Sequence, residues 1–174
     1  VRVLVLSDTH LQAATLDRLP PEVWALADAA DVILHAGDVV DAALLDALAE
    51  RAPTHAVLGN NDHGLGDRLP ETLEIDLDGV AVAMVHDSGA TAGRPARMQR
   101  RFPRADVVVF GHSHDPVVQR VDGGPVLLNP GSPTHRRRQP VHTVAELDLA
   151  GGVVQRVELL PVGPLAAGAA RARR

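Results

Sequence analysis

The chain has 174 residues, 45% of them hydrophobic, a length and composition that suit one globular domain and exclude a largely disordered one. Aromatic residues make up only 2%, so the core must be built from Val, Leu and Ala, and stacking on single-stranded nucleic acid has little to work with. A formal charge of −5 argues against dedicated nucleic-acid binding, and the absence of cysteine excludes disulfides, thiolate nucleophiles and zinc–thiolate sites.

Val1–Leu6 is a short, nearly continuous apolar run and reads as a strand buried on both faces, followed by a polar loop at Ser7–His10. Pro20-Pro21 opens an expected helix through Ala30, with proline accepted in the first turn. Val32–His35 is the next buried strand, ending at Ala36-Gly37-Asp38, and Asp41 is placed to cap an Ala/Leu helix that runs to about Arg51. Thr54–Leu58 is a third strand, ending at Gly59-Asn60-Asn61-Asp62. The alternation of strand and helix implies a parallel sheet.

The second half changes character. Thr72–Leu77 and Val80–His86 flank Asp78-Gly79, a strong hairpin signal. A helix is expected over Ala92–Phe102 and a buried strand over Val107–Phe110. Two further hairpins follow: Val117–Val121 with Val126–Leu128, and His142–Leu149 with Val153–Leu160. These suit antiparallel additions, so the expected architecture is an α/β fold of two mixed sheets packed face to face with helices outside. Residues 1–160 form the expected domain. From Pro161 to Arg174, Ala, Gly, Pro and Arg dominate, and a flexible tail is expected.

The polar residues fall in a telling place. Asp8-x-His10, Asp38, Asn60, His86 and His112-x-His114 each come just after an apolar strand. The carboxyl ends of strands in α/β sheets form one edge, where ligands bind. Each motif alone has an ordinary reading: a helix-entry turn for Asp8–His10, a strand-end turn for Gly37-Asp38 and Gly59-Asn60, a partly buried core side chain for His86. Their conjunction makes coincidence a minor alternative. Imidazole, carboxylate and amide donors together suit Mn²⁺, Fe²⁺, Zn²⁺ or Ni²⁺ better than oxygen-only cations, with Mn²⁺ the leading expectation. Seven ligands are too many for one structural ion and enough for two with open positions; a carboxylate such as Asp38 can bridge them. Such a pair can clamp a phosphate and lower the pKa of a bridging water. Glycines 37, 59 and 111 let the backbone turn tightly beside the ligands.

The order Asp-x-His, Gly-Asp, Gly-Asn-x-Asp, His, Gly-His-x-His resembles the calcineurin-like metallophosphoesterases over residues 1 to about 160. The short length and the Asn129-Pro130-Gly131-Ser132 segment are similar to the small YfcE-like phosphodiesterase subfamily. The resemblance implies a four-layer α/β/β/α sandwich. It also implies a first metal on Asp8, His10, Asp38 and His114, and a second on Asp38, Asn60, His86 and His112. Catalytic roles then fall to Asp38, Asn60, Asn61, Asp62 and His86. Larger relatives carry His where this chain has Asn61, so the group that would protonate a leaving oxygen is missing there. Asp87 stands where glycine is expected and brings another carboxylate near the site. The run Arg136-Arg137-Arg138 follows the Asn-Pro-Gly-Ser segment; it reads either as a solvated loop or as a fork onto substrate phosphate, as Asn61 also does. Arg100, Arg101 and Arg104 read as helix surface, His55 and His142 as structural, and His35 as buried beneath the site. His63 and His135 are the candidates to replace the missing acid.

The leading expectation is therefore a phosphodiesterase using in-line attack by a hydroxide that bridges two metal ions. Its substrate would be a small phosphorylated molecule, such as a nucleotide or a cyclic phosphodiester. The alternatives are a phosphomonoesterase on a nucleotide or small phosphometabolite, and a non-catalytic scaffold like the retromer subunit that shares this fold. All seven ligand positions keep chelating side chains, which speaks against the scaffold. No apolar run approaches the roughly 18 residues of a membrane span, so no membrane partner is expected and the cytoplasm is the expected location. A homo-oligomer stays open.

Overall fold

The computed structural model describes residues 1–164. Of the tail expected over residues 161–174, residues 165–174 lie outside the described residues. Ten strands, β1 (Arg2–Leu6), β2 (Val32–His35), β3 (Thr54–Ala56), β4 (Thr72–Leu77), β5 (Val80–Val85), β6 (Val107–Val109), β7 (Val117–Arg120), β8 (Val126–Asn129), β9 (His142–Ala150) and β10 (Val153–Val162), form two five-stranded sheets. The first has the order β10-β9-β1-β2-β3 and the second β4-β5-β6-β8-β7. Both are mixed: β1, β2 and β3 run parallel, as do β5, β6 and β8, while the hairpin partners are antiparallel.

Strand alternation sorts the core into layers. In β1, Val3 and Val5 face the second sheet, where they join Leu34, Val82, Met84, Val107, Val109 and Leu128. Leu4 and Leu6 point the other way, onto Val23 and Ala27 of α1 (Pro21–Ala29) and Leu44 and Leu48 of α2 (Ala42–Ala49). On the far side, Val108 and Leu127 pack with Phe110 and with Met98 of α3 (Arg94–Arg101). Helix, sheet, sheet and helix thus stack in the four layers expected. Because both faces are covered, the central parallel strands are nearly continuous apolar runs, broken only at their ends by Arg2, His35 and Asn129, and each large apolar side chain is worth about 1.5–3 kcal/mol when fully buried.

Local chemistry sets the ends of the elements. The Asp41 carboxylate accepts the amide of Ala43 at 3.0 Å and starts α2. Asp78 (φ 54°) and Gly79 (φ 82°) make the left-handed pair that a two-residue hairpin requires. A short 3₁₀ helix at Ala13–Arg18 lies where no element was expected. Pro161 and Val162, expected in the tail, instead continue β10, pairing with Thr143 and His142. Proline is tolerated there because β10 is the edge of its sheet and needs no amide on its outer side. No helix among the described residues is long and apolar enough to cross a membrane.

Candidate metal centre

The parallel strands bring their carboxyl ends to one edge, and the loops that leave them are tied across the two sheets. The Gly111 amide donates to the His86 carbonyl at 2.9 Å, and the His112 amide donates to Asp8 Oδ2 at 3.0 Å. Five of the seven expected ligands hold left-handed backbone: Asp8 (φ 55°), His10 (48°), Asp38 (57°), His112 (65°) and His114 (59°). Such residues cost about 1–2 kcal/mol each, and loop hydrogen bonds hold them, including Asp8 N–H to Gly37 O and His10 N–H to Asp38 O, both 3.0 Å. Of the three glycines expected to turn the chain, only Gly37 uses positive φ, at 91°. Gly59 and Gly111 serve by lacking a side chain: a Cβ on Gly111 would lie 1.9 Å from Ser7 Oγ, and one on Gly59 would lie 2.1 Å from the Asp38 amide nitrogen.

The seven side chains converge in two groups with Asp38 between them. In the first, Asp8 Oδ1 lies 3.3 Å from His114 Nε2, which is 3.4 Å from His10 Nε2. In the second, Asn60 Oδ1 lies 3.1 Å from His86 Nε2 and 2.8 Å from His112 Nδ1. One Asp38 oxygen is 3.6 Å from His10 Nε2 and the other 3.5 Å from His86 Nε2. Donors about 2.0–2.2 Å from a shared ion sit roughly 3–3.5 Å apart by simple geometry. The tautomers also fit. His86 Nδ1 donates to the Ala36 carbonyl at 2.7 Å and His114 Nδ1 donates to the His135 carbonyl, which leaves each Nε2 lone pair facing the group. Asp8 Oδ1 is buried with no hydrogen-bond partner, an arrangement that a cation relieves.

The electrostatics describe a site made ready for positive charge. Burial pushes the Asp8 carboxyl up to about 6 against the bond from Ser7 Oγ. Burial also brings His114 down to about 4 and lowers His10, so both imidazoles are neutral at pH 7. Burial raises Asp38 too, but His86 and the two Asn61 donors, at 2.8 and 2.7 Å, outweigh it and hold the carboxyl well below the usual range. For His86, burial lowers the pKa, while Asp38 and the Ala36 carbonyl raise it by more. The sign for ion binding follows. Below about pH 6 the metal-free fold carries a proton on Asp8 that an ion must displace, and His86, whose pKa is raised by Asp38 and the Ala36 carbonyl against burial, must give up another. Ion affinity should therefore fall about tenfold per pH unit for each displaced proton as the pH drops below 6. Calorimetry with Mn²⁺ in two buffers of different ionisation enthalpy counts those protons; constant affinity from pH 7.5 to 5.0 would contradict the arrangement.

Several residues take parts the sequence did not assign. Asp62, expected to be catalytic, spends both oxygens on backbone: Oδ2 accepts the amides of Asp38 (3.0 Å) and Gly59 (2.7 Å), and Oδ1 that of Val40 (2.7 Å). With its acceptors used, it suits positioning of the Asp38 and Asn60 loops rather than contact with reactants. The segment after β8 is a clasp. Ser132 Oγ donates to the Asp8 carbonyl at 2.7 Å, Thr134 Oγ1 to the Thr9 carbonyl at 2.6 Å, and Asn129 Nδ2 to the Gly111 carbonyl at 3.0 Å. His35 is fully buried beneath the site, as expected, with Nε2 3.0 Å from Thr9 Oγ1. All three arginines are exposed: Arg136 binds the Gln139 carbonyl, while Arg137 adds to the burial that lowers the pKa values of His10, His114 and His135. His63 and His135 are both exposed, and His135 stacks edge-on against His10 at 5.1 Å between ring centroids.

Two stacked mixed sheets with carboxylate, imidazole and amide donors gathered at their carboxyl edge define a metal-binding phosphoesterase architecture. Residues 1–152 match the calcineurin-like phosphoesterase superfamily domain, and the chain belongs to that family. It is 34% identical to a protein named probable metallophosphoesterase from Methanothermobacter thermautotrophicus, over 75% of this chain and 76% of that one. Among solved structures it is similar to zinc-complexed Vps29 of Entamoeba histolytica, with 25% identity, a TM-score of 0.68 and coverage of 93% of this chain and 98% of that one. An archaeal phosphodiesterase shares the fold at 20% identity and a TM-score of 0.70, covering 92% of this chain and all of its own.

Proposed function

We propose that the protein is a phosphodiesterase that works with two divalent transition-metal ions, Mn²⁺ foremost, on a small phosphorylated substrate in the cytoplasm. The observation that carries this reading is the placement of Asp38, whose two oxygens reach toward two separate ligand groups, 3.6 Å from His10 on one side and 3.5 Å from His86 on the other. Asp8, His10 and His114 would hold one ion, Asn60, His86 and His112 the other, and Asp38 both. Bound there, the two ions would supply a nucleophilic water of lowered pKa and neutralise charge on the phosphoryl group. The protein's own groups do the rest. Asp62 and the Ser132–Thr134 clasp fix the ligand loops. Asn61, whose amide nitrogen is 2.7 Å from Asp38 Oδ2, stands at the mouth of the site and can donate to a phosphoryl oxygen. Arg137 brings a positive charge to the first ligand group.

For Arg137→Ala, kcat/KM toward bis(p-nitrophenyl) phosphate should fall about 10- to 100-fold with metal content unchanged, the loss of one charge-assisted contact of about 1.5–3 kcal/mol. Arg136→Ala and Arg138→Ala should stay near the parent. Equal values in all three variants would make the run a solvated loop.

The preference for diesters rests on Asn61, which cannot give a proton to a departing alkoxide. General acid help is worth about 10²–10⁴-fold, so activated aryl or strained cyclic diesters should react far better than alkyl monoesters. A plot of log kcat/KM against leaving-group pKa should be steep for the parent and shallower for Asn61→His. A shallow parent slope would assign the proton to another group, with His135 the first to mutate, and would reopen the monoesterase reading. The alternative to this reading is a scaffold without turnover. Protein that binds two ions yet leaves every diester intact would support it.

A further inference from the structure

A cleft of about 390 Å³ opens beside the second ligand group, with Asn60, His86 and His112 at one end. Leu58 and Val85 give it an apolar wall, and Arg101, Glu71 and Asp87 complete the lining. Arg101 sits in the last turn of α3 and is exposed. Among the described residues its guanidinium has no carboxylate partner, although Arg51, Arg68 and Arg156 all pair with acids. Its recorded contact is with the neighbouring Phe102 ring, 5.4 Å away. Glu71 likewise has no ion-pair partner among the described residues, whereas Asp87 is turned onto the Gly89 amide at 2.7 Å. A guanidinium plane, an apolar wall and an acceptor carboxylate thus share one cleft that leads to the proposed metals.

Those features select a chemistry. An inorganic or second phosphate would meet Arg101 but also two carboxylates. A flat heteroaromatic group with N–H donors fits all of them: it can lie on the guanidinium plane and the apolar wall and donate to Glu71. In a chain with two Phe, one Trp and no Tyr, the Arg101 guanidinium gives this cleft a stacking plane besides the His112 ring. We propose that Arg101 and this cleft form a nucleobase subsite, so that the group esterified to the phosphate is a nucleoside. The proposal rests on the phosphodiesterase reading only for where the phosphate lies.

Binding tests it without turnover. Adenosine 5′-monophosphate and ribose 5-phosphate carry the same phosphate and sugar and differ in the base. Calorimetry with Mn²⁺-loaded protein should show the nucleotide binding about tenfold more tightly, the order of one base–side-chain stack. Arg101→Ala should erase that preference, and so should Arg101→Lys, which keeps the charge and loses the plane. Arg100→Ala, on the same helix but outside the cleft, should keep it, and melting temperatures would show that all variants fold. Equal affinity for the two ligands in the parent would overturn the proposal, as would a preference that survives Arg101→Ala or is restored by lysine. Hydrolysis of bis(p-nitrophenyl) phosphate in the same preparations judges the catalytic reading separately: base preference without hydrolysis sinks that reading alone, and hydrolysis without base preference sinks this one alone.

Discussion

Replacing Asp38 by Ala should abolish hydrolysis and release at least one metal ion. The carboxylate is almost fully buried, at 1% exposure, and its two oxygens lie 3.6 Å from His10 Nε2 and 3.5 Å from His86 Nε2. Without it each ion loses a ligand, and the pair loses the charge that holds two cations close together. Asn61 loses the acceptor for both of its bonds, at 2.8 and 2.7 Å, so the loop that presents Asn60 is loosened as well. Two-metal clamping contributes several kcal/mol to transition-state stabilisation, so a fall of about a thousandfold or more is expected. Asp38→Asn separates chemistry from folding. Its amide keeps an oxygen for Asn61 and much of the packing but carries no charge; it should fold and still fail. Two ions retained with normal turnover in either variant would remove Asp38 from the centre of the site.

The next largest effects should come from the two histidines of Gly111-His112-Ser113-His114, and they should differ in kind. His114 is buried to 2% exposure, donates from Nδ1 to the His135 carbonyl, and turns Nε2 toward Asp8 and His10. His112 is half-buried and turns Nδ1 toward Asn60. One residue of separation therefore sends the two rings to different ligand groups. His114→Ala should empty the first site and His112→Ala the second, each leaving about one ion per chain and lowering turnover at least about a hundredfold. Manganese-loaded parent should give the spin-coupled resonance of a metal pair, and either variant the signal of isolated ions. Near-native activity in both, or the same residual site in both, would make the pair structural.

How far the sequence reaches can be judged from particular residues. Strands and hairpins were legible because burial on two faces leaves continuous apolar runs such as Val107–Val109, and because Asp78-Gly79 has few other uses than a tight turn. The positions of the proposed ligands were legible for a topological reason: in a parallel sheet, residues that follow each strand arrive at one edge whatever their separation in the chain. What escaped was the support. Asp62, Ser132 and Thr134 act through hydrogen bonds to backbone elsewhere in the chain, across 124 residues in the case of Ser132 and Asp8, and no periodicity records such contacts. Ser and Asp are also common in loops, so their types carried no signal. The left-handed conformations of Asp8, His10, Asp38, His112 and His114 were hidden because none is glycine. Arg101 read as helix surface because it lies in an arginine-rich helix, and only the folded chain shows which of its neighbours line a cleft. Pro161 read as the start of a tail because Ala, Gly, Pro and Arg dominate from there, a compositional signal that could not show that the edge strand β10 accepts Pro161 and Val162.

The central claim is that two ions held by one chain are needed for phosphodiester hydrolysis. It is tested most directly by stripping the protein with a chelator and titrating Mn²⁺ back while measuring bound metal and hydrolysis of bis(p-nitrophenyl) phosphate in the same samples. The expected result is no turnover without metal, and activity that reaches its plateau as occupancy reaches two ions per chain. Full activity at one ion per chain, or turnover that survives complete removal of metal, would contradict it.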